Sequence, residues 1–366
     1  GSALLGWVLL CASSSTAAPV SSKPNLIIMG NSLSDTGNAA AMTGGGGYFD
    51  GRFSNSYMWN EYAAKLLNMN LVNRAYAGAT TNNDLSPAIS GNITIPSLHD
   101  QVVRWIDENP SPHAYNLEND VIEIEIGGND ILHNVAGLAT GAIKLTDFAT
   151  EVAKSIATDM QLLVDAGYKN IILWNLPAVD KTPSVTALNA GTLVKPIVET
   201  INVATSTYAD VIVKNNAAKT QGIHVLDLNS LMSLAMQPDA MKYLGITDAV
   251  NACYTEDAEG NPSVCADPDT HFFYDGIHPA SRMHYLWGIA AAILTEDPNA
   301  TIDMNELILL ANTFGISQSD RENNLITTGI TSSESDIVPA PSATEAPSSS
   351  DPATSVDSTP THVKCH

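Results

Sequence analysis

Basic side chains are scarce in this chain. The 16 Lys and Arg stand against 39 Asp and Glu, giving a formal net charge of −23 at pH 7. Such a chain offers no basic patch to displace the counterions of a nucleic acid, so nucleic acid is excluded as an expected partner. Anionic membrane surfaces are disfavoured for the same reason. Long apolar runs are missing too. Ala3–Ala12 is too short to span a bilayer, and no other stretch is long enough for a transmembrane helix, so no stable membrane insertion is expected. Cysteine is sparse, with 4 in the chain. No His or Cys spacing suggests zinc, and the Asp-rich run at Asp267–Thr270 lacks the other ligands of a calcium loop. No metal or nucleotide cofactor is implied, and no internal repeat is evident.

What is present is enough apolar material for one large core: 44% of the 366 residues are hydrophobic. The run Ala3–Ala12 is followed by small residues, Ser13–Ala18, and reads as a secretory signal peptide over residues 1–18. From about Ser317 the composition shifts to Ser, Thr, Pro, Ala and acidic residues. Such a segment cannot bury enough apolar area to offset its ordering entropy, so 317–366 reads as a disordered acidic tail. The folded domain is thereby placed at 19–316. Cys253 and Cys265 lie in one loop and are expected to form a disulfide if the chain is secreted. Asn92-Ile-Thr94 and Asn299-Ala-Thr301 are glycosylation sequons, whereas Asn261-Pro-Ser263 is excluded by its proline.

Short strand-like runs alternate with helix-like stretches. Leu26–Met29, Asn70–Ala75, Asp120–Gly128, Asn170–Leu176 and Ile223–Leu228 read as strands. Ser56–Leu67, Phe148–Ala166, Leu193–Thr220 and Ser281–Leu294 read as helices. The alternation argues for a mostly parallel central sheet in a three-layer αβα sandwich, with sites at the carboxyl ends of strands. One strand is anomalous. In D-V-I-E-I-E-I-G-G, Ile122, Ile124 and Ile126 alternate with Glu123 and Glu125. A parallel strand should be apolar on both faces, so the glutamate face either reaches solvent or meets basic side chains.

The most informative stretch is Asn25–Asn38, N-L-I-I-M-G-N-S-L-S-D-T-G-N. A buried strand ends at Gly30, Ser32 follows, and the next residues can start a helix whose N–H groups point back at the hydroxyl. That is the layout of a nucleophile in an α/β hydrolase. Asn73–Thr80 (N-R-A-Y-A-G-A-T), Gly127–Asp130 (G-G-N-D) and Asp275–Pro279 (D-G-I-H-P) follow in order. Together these four blocks resemble the GDSL, or SGNH, family of lipases and esterases. Tyr48–Asn55 (Y-F-D-G-R-F-S-N) resembles its phospholipase- and haemolysin-like subgroup.

The resemblance covers about residues 24–295 and implies an SGNH-type, flavodoxin-like fold. It also implies a secreted serine ester hydrolase acting on small-molecule, lipid or sugar esters. With these blocks present, D-x-x-H lets one loop carry both partners of Ser32: His278 as base and Asp275 as the carboxylate that orients it. Asp267 and Asp269 are near rivals for the second role. The resemblance implies three oxyanion donors: the N–H groups of Ser32 and Gly78 and the amide of Asn129. Asn31 departs from the family pattern, which has Asp there. It keeps an acceptor and the shape but loses the charge. Phospholipase, acyltransferase and carbohydrate acetylesterase activities would use the same site. A reading of another class, a non-catalytic binding module, rests on Asn31 and the mucin-like tail. The loop aromatics Tyr48, Phe49, Phe53, Phe272, Phe273 and Tyr274 are candidates for an acyl-binding surface. Oligomeric state is not legible in the sequence.

Overall fold

Five short apolar runs become the strands of one all-parallel sheet: β1 (Asn25–Gly30), β2 (Asn70–Asn73), β3 (Val121–Glu125), β4 (Asn170–Trp174) and β5 (Gly222–Leu226). The structure, a computed structural model, describes residues 23–329 except residue 221. The expected signal segment and the stretch beyond residue 329 lie outside the described residues.

The strand order is β2-β1-β3-β4-β5. Sequence order reverses between β1 and β3, and the register pairs Leu26 with Val121 through to Gly30 with Glu125. In a doubly wound sheet the crevice at the carboxyl ends of two such strands is where ligands are received. Alternate residues feed two cores. Ile27, Met29, Ile122, Ile124 and Leu173 face one, which is covered by α2 (Leu98–Glu108), α4 (Leu145–Asp165) and α5 (Gly191–Asn216). Leu26, Ile28, Ile172 and Trp174 face the other, covered by α1 (Trp59–Leu66), α7 (Ser281–Glu296) and α8 (Met304–Thr313). The remaining long connections are α3 (Gly128–Thr140) and α6 (Leu228–Ala235). The expected three-layer αβα sandwich is thus the observed one.

Helix α4 illustrates why the layers hold. Phe148, Val152, Ile156, Met160 and Leu163 recur three or four residues apart and are all buried. Helix α7 is buried all round from Ser281 to Ala292, as an inner-layer helix must be. Its start fixes the loop that carries Asp275 and His278.

Folding does not stop near Ser317, where the composition changes. Residues up to 329 pack on the body. Leu325 joins the second core, and Arg321 donates through Nε and Nη2 to the Asn55 carbonyl at 3.1 and 2.9 Å. The thirteen residues 317–329 are therefore held by a few anchors set in polar sequence, which composition averages away. The Asp120–Gly128 strand also differs from expectation. All five residues of β3 are buried, and among the described residues the glutamate face meets neither solvent nor a base. Glu123 accepts instead from Trp174 Nε1 at 2.7 Å and Thr295 Oγ1 at 3.3 Å.

Candidate active site

Leu26 to Met29 are fully buried, so β1 runs through the core and delivers Ser32 to its carboxyl edge. Only glycine fits at the last strand position, 30, because a Cβ there would sit 2.2 Å from the Glu125 backbone oxygen. Past it the chain turns sharply. Ser34 N–H and Asp35 N–H both donate to the Asn31 carbonyl, at 3.1 and 3.0 Å, and Leu33 N–H donates to Asn31 Oδ1 at 2.9 Å. The expected helix does not follow at once; it starts only at Asn38. Before it lies a single helical turn, which Asn31 caps through its side chain and carbonyl. Asp35 caps that later helix through Gly37, Asn38 and Ala39 N–H. It also accepts Ala77 N–H at 2.8 Å, which ties the serine turn to the Gly78 segment.

Opposite the serine stands His278. Its Nε2 lies 2.8 Å from Ser32 Oγ and its Nδ1 2.7 Å from Asp275 Oδ2. The three residues are 246 and 3 positions apart and all are buried. Asp275 is the carboxylate at the imidazole. Asp269 instead accepts from Asn55 Nδ2 and Ser281 Oγ, at 2.8 and 2.5 Å. Burial pushes the Asp275 carboxyl up. The His278 ring beside it and the N–H groups of Ile277 (2.9 Å) and His278 (2.7 Å) pull it down further, to about 2. A fourth donor was expected in a different role, on the acyl-binding surface: Tyr48 O–H reaches Asp275 Oδ2 at 2.7 Å. Burial and this carboxylate raise the Tyr48 phenol far above its ordinary range, so it stays a donor.

The remaining donor candidates sit on neighbouring segments. Gly78 has φ +86°, a region that favours glycine, and its N–H has no hydrogen-bond partner among the described residues. The same holds for Ser32 N–H. Asn129, in the first turn of α3, donates one amide hydrogen to the Ala79 carbonyl at 2.8 Å, which leaves its second. Asp130 fastens the two segments by accepting Thr81 N–H and Oγ1–H at 3.0 and 2.7 Å.

Ser32, His278 and Asn129 line one pocket of about 60 Å³ whose other walls are mostly apolar, including Leu33, Leu132, Val179, Met232 and Ile277. Of the six loop aromatics, only Phe273 lines it. Tyr48 holds Asp275. Phe53 packs on the His278 ring with centroids 5.1 Å apart, and Phe49 packs on Tyr57 and beneath Arg321. The disulfide forms between Cys253 and Cys265. Its hairpin donates Tyr254 N–H to the Tyr274 carbonyl, next to Asp275.

The chain matches the family model for GDSL-like lipase/acylhydrolase over residues 26–290. It belongs to that family. Ser32, Gly78, Asn129, Asp275 and His278 all fall inside the matched span. Among curated relatives, the thermolabile hemolysin of Vibrio parahaemolyticus is 30% identical over 163 residues, 43% of this chain and 35% of that protein. An acetylesterase of Thermothelomyces thermophilus is 30% identical over 121 residues, 32% of this chain and 38% of the enzyme. The phosphatidylcholine-sterol acyltransferase of Aeromonas hydrophila is 24% identical over 292 residues, 76% and 79% of the two chains. The matches to the first two relatives thus span little more than a third of their lengths. No helix among the described residues is long and apolar enough to cross a membrane.

Proposed function

We propose that this GDSL-family chain is a secreted serine ester hydrolase that cleaves carboxylic esters through an acyl-enzyme on Ser32. The observation that carries the reading is the unbroken relay Ser32 Oγ–His278 Nε2–Asp275, at 2.8 and 2.7 Å. His278 takes the hydroxyl proton as Ser32 attacks the ester carbonyl, and Asp275 holds Nδ1–H so that Nε2 faces the serine. The carbonyl oxygen becomes an oxyanion, received by the N–H groups of Ser32 and Gly78 and the free amide hydrogen of Asn129. Imidazolium returns the proton to the leaving alkoxide. Water, activated by the same imidazole, then releases the acid and frees the serine.

The small apolar pocket favours short acyl groups, since about 60 Å³ is room for only a few heavy atoms. Among the activities that share this site, an acetylesterase-type preference is therefore the one favoured over long-chain lipase action. The disulfide supports an oxidising, extracytoplasmic compartment, and the exposed sequon residues Asn92 and Asn299 are accessible to glycosylation. Turnover of p-nitrophenyl acetate, butyrate and octanoate, with Ser32→Ala as control, tests the reading. Activity falling with chain length and lost in Ser32→Ala is expected. No turnover of any ester by the unmodified protein would favour the non-catalytic module instead.

A further inference from the structure

Glu125 is the buried acid the catalytic relay leaves unused. It is 2% exposed, pairs in register with Gly30 at the end of β1, and lines the same pocket as Ser32. Its carboxyl lies beside the Asn31 side chain, which lines the same pocket, and Oε2 has no partner among the described residues. An ionised carboxylate so placed, with no cation against it, would carry a prohibitive desolvation cost.

We propose that Glu125 is a positioning residue for the nucleophile, and that it forms a matched pair with Asn31: a neutral carboxyl receives the Asn31 amide and holds the Ser32 turn against the end of β3. The proposal rests on Ser32 being the nucleophile. The two ends of the Asn31 side chain have different surroundings. Oδ1 takes Leu33 N–H, which shapes the turn and leaves the amide to face Glu125. An Asp at 31 would keep the first bond but have no hydrogen of its own to donate when ionised, so its link to Glu125 would depend on a shared proton. It would also set two carboxyls side by side in an apolar pocket, where they share one proton. Burial pushes the Glu125 carboxyl up to about 8 against the lowering effect of Asn31, consistent with the neutral form. Asn31 is thus the residue that Glu125 requires, and it gives no reason to read the site as disabled.

The charged and titratable groups around the pair are few. His278, linked to Asp275, is the other titratable residue lining the pocket. Along β3, Glu123 is held by Trp174 of β4 and Thr295 of α7. On α7, His284 is pushed down to about 3 by burial and by His278, and is neutral. Asp35, beyond the turn, is bound by four N–H groups.

The test is a set of full-length variants, Asn31→Asp, Glu125→Gln, Glu125→Leu and Asn31→Asp/Glu125→Gln, assayed with p-nitrophenyl butyrate for kcat and KM. Assays run from about pH 6 to about pH 9, bracketing the shared titration; melting temperatures are recorded alongside. Glu125→Leu should lose about tenfold in kcat with little change in KM, and Glu125→Gln should recover most of it. Asn31→Asp should fall about tenfold or more in kcat between the acid and alkaline ends as its shared proton leaves. The double variant should remove that pH dependence, because a Gln amide donates at every pH. Equal losses in Asn31→Asp and the double variant, or no loss in Glu125→Leu, would overturn the pairing. Should the unmodified protein turn over no ester, the hydrolase reading falls. The pair is then judged on melting temperature alone: rescue of Asn31→Asp by Glu125→Gln at alkaline pH supports it, and absence of rescue overturns it.

Discussion

Each polar atom around Ser32 has a separable task, and single substitutions should separate them. Asn129→Ala removes one of the proposed oxyanion donors and the Asn129 amide's bond to the Ala79 carbonyl. A loss of about 10²–10³ in kcat is expected with a small change in KM, the pattern of an interaction made only in the transition state. Tyr48→Phe removes one of four donors to Asp275. Its cost should be smaller, about three- to tenfold in kcat, because three donors to the carboxylate remain. Steady-state kinetics on one short ester measures both. The meeting of Ser32, Asp275 and His278 was legible because each lies in a short block whose chemistry is local. Tyr48 was not. Its partner is 227 positions away, and nothing local separates a tyrosine that holds a carboxylate from one that merely packs.

Elements carry two further lessons. The alternation in β3 was legible, but its glutamate face was misread. Period-two reasoning assumes that polar means wet, whereas α7 and the Trp174 ring seal that face and supply hydrogen bonds. The helix expected directly after Ser32 amounts to one turn capped by Asn31, and the next helix starts at Asn38. The Cys253–Cys265 hairpin was read correctly as a staple. Cys253→Ser/Cys265→Ser should destabilise the fold by about 2–3 kcal/mol in denaturant unfolding. It should also lower kcat, because the hairpin braces Tyr274 beside Asp275.

For the whole molecule, buried acids set the pH at which the fold is firmest. Burial raises Glu123 to about 7 and Glu125 to about 8 from an ordinary 4.5. It also raises Asp130 and Asp159 to about 6, from 3.8. Each raised group binds its proton more tightly folded than unfolded. Stability is therefore greatest below the ordinary values and is lost as pH rises through the raised ones, at about 1.4 kcal/mol per pH unit for each such group. Asp275 has the opposite sign: held at about 2, it contributes stability above about pH 4 that disappears as pH falls towards 2. The melting temperature should therefore peak at mildly acidic pH and decline towards pH 8, and Glu123→Gln should flatten the alkaline limb. A melting temperature that rises from pH 5 to pH 8 would contradict this.

The layering of this molecule was legible from strand and helix periodicity, but its C-terminal limit was not, because the anchors at Arg321 and Leu325 lie in polar sequence. The account as a whole stands on Ser32 taking the acyl group. Protein quenched during turnover of p-nitrophenyl acetate and mapped by peptide mass spectrometry should carry one acetyl group, on the peptide containing Ser32, and Ser32→Ala should carry none and turn over nothing. An acetyl group on another residue, or undiminished turnover in Ser32→Ala, would contradict it.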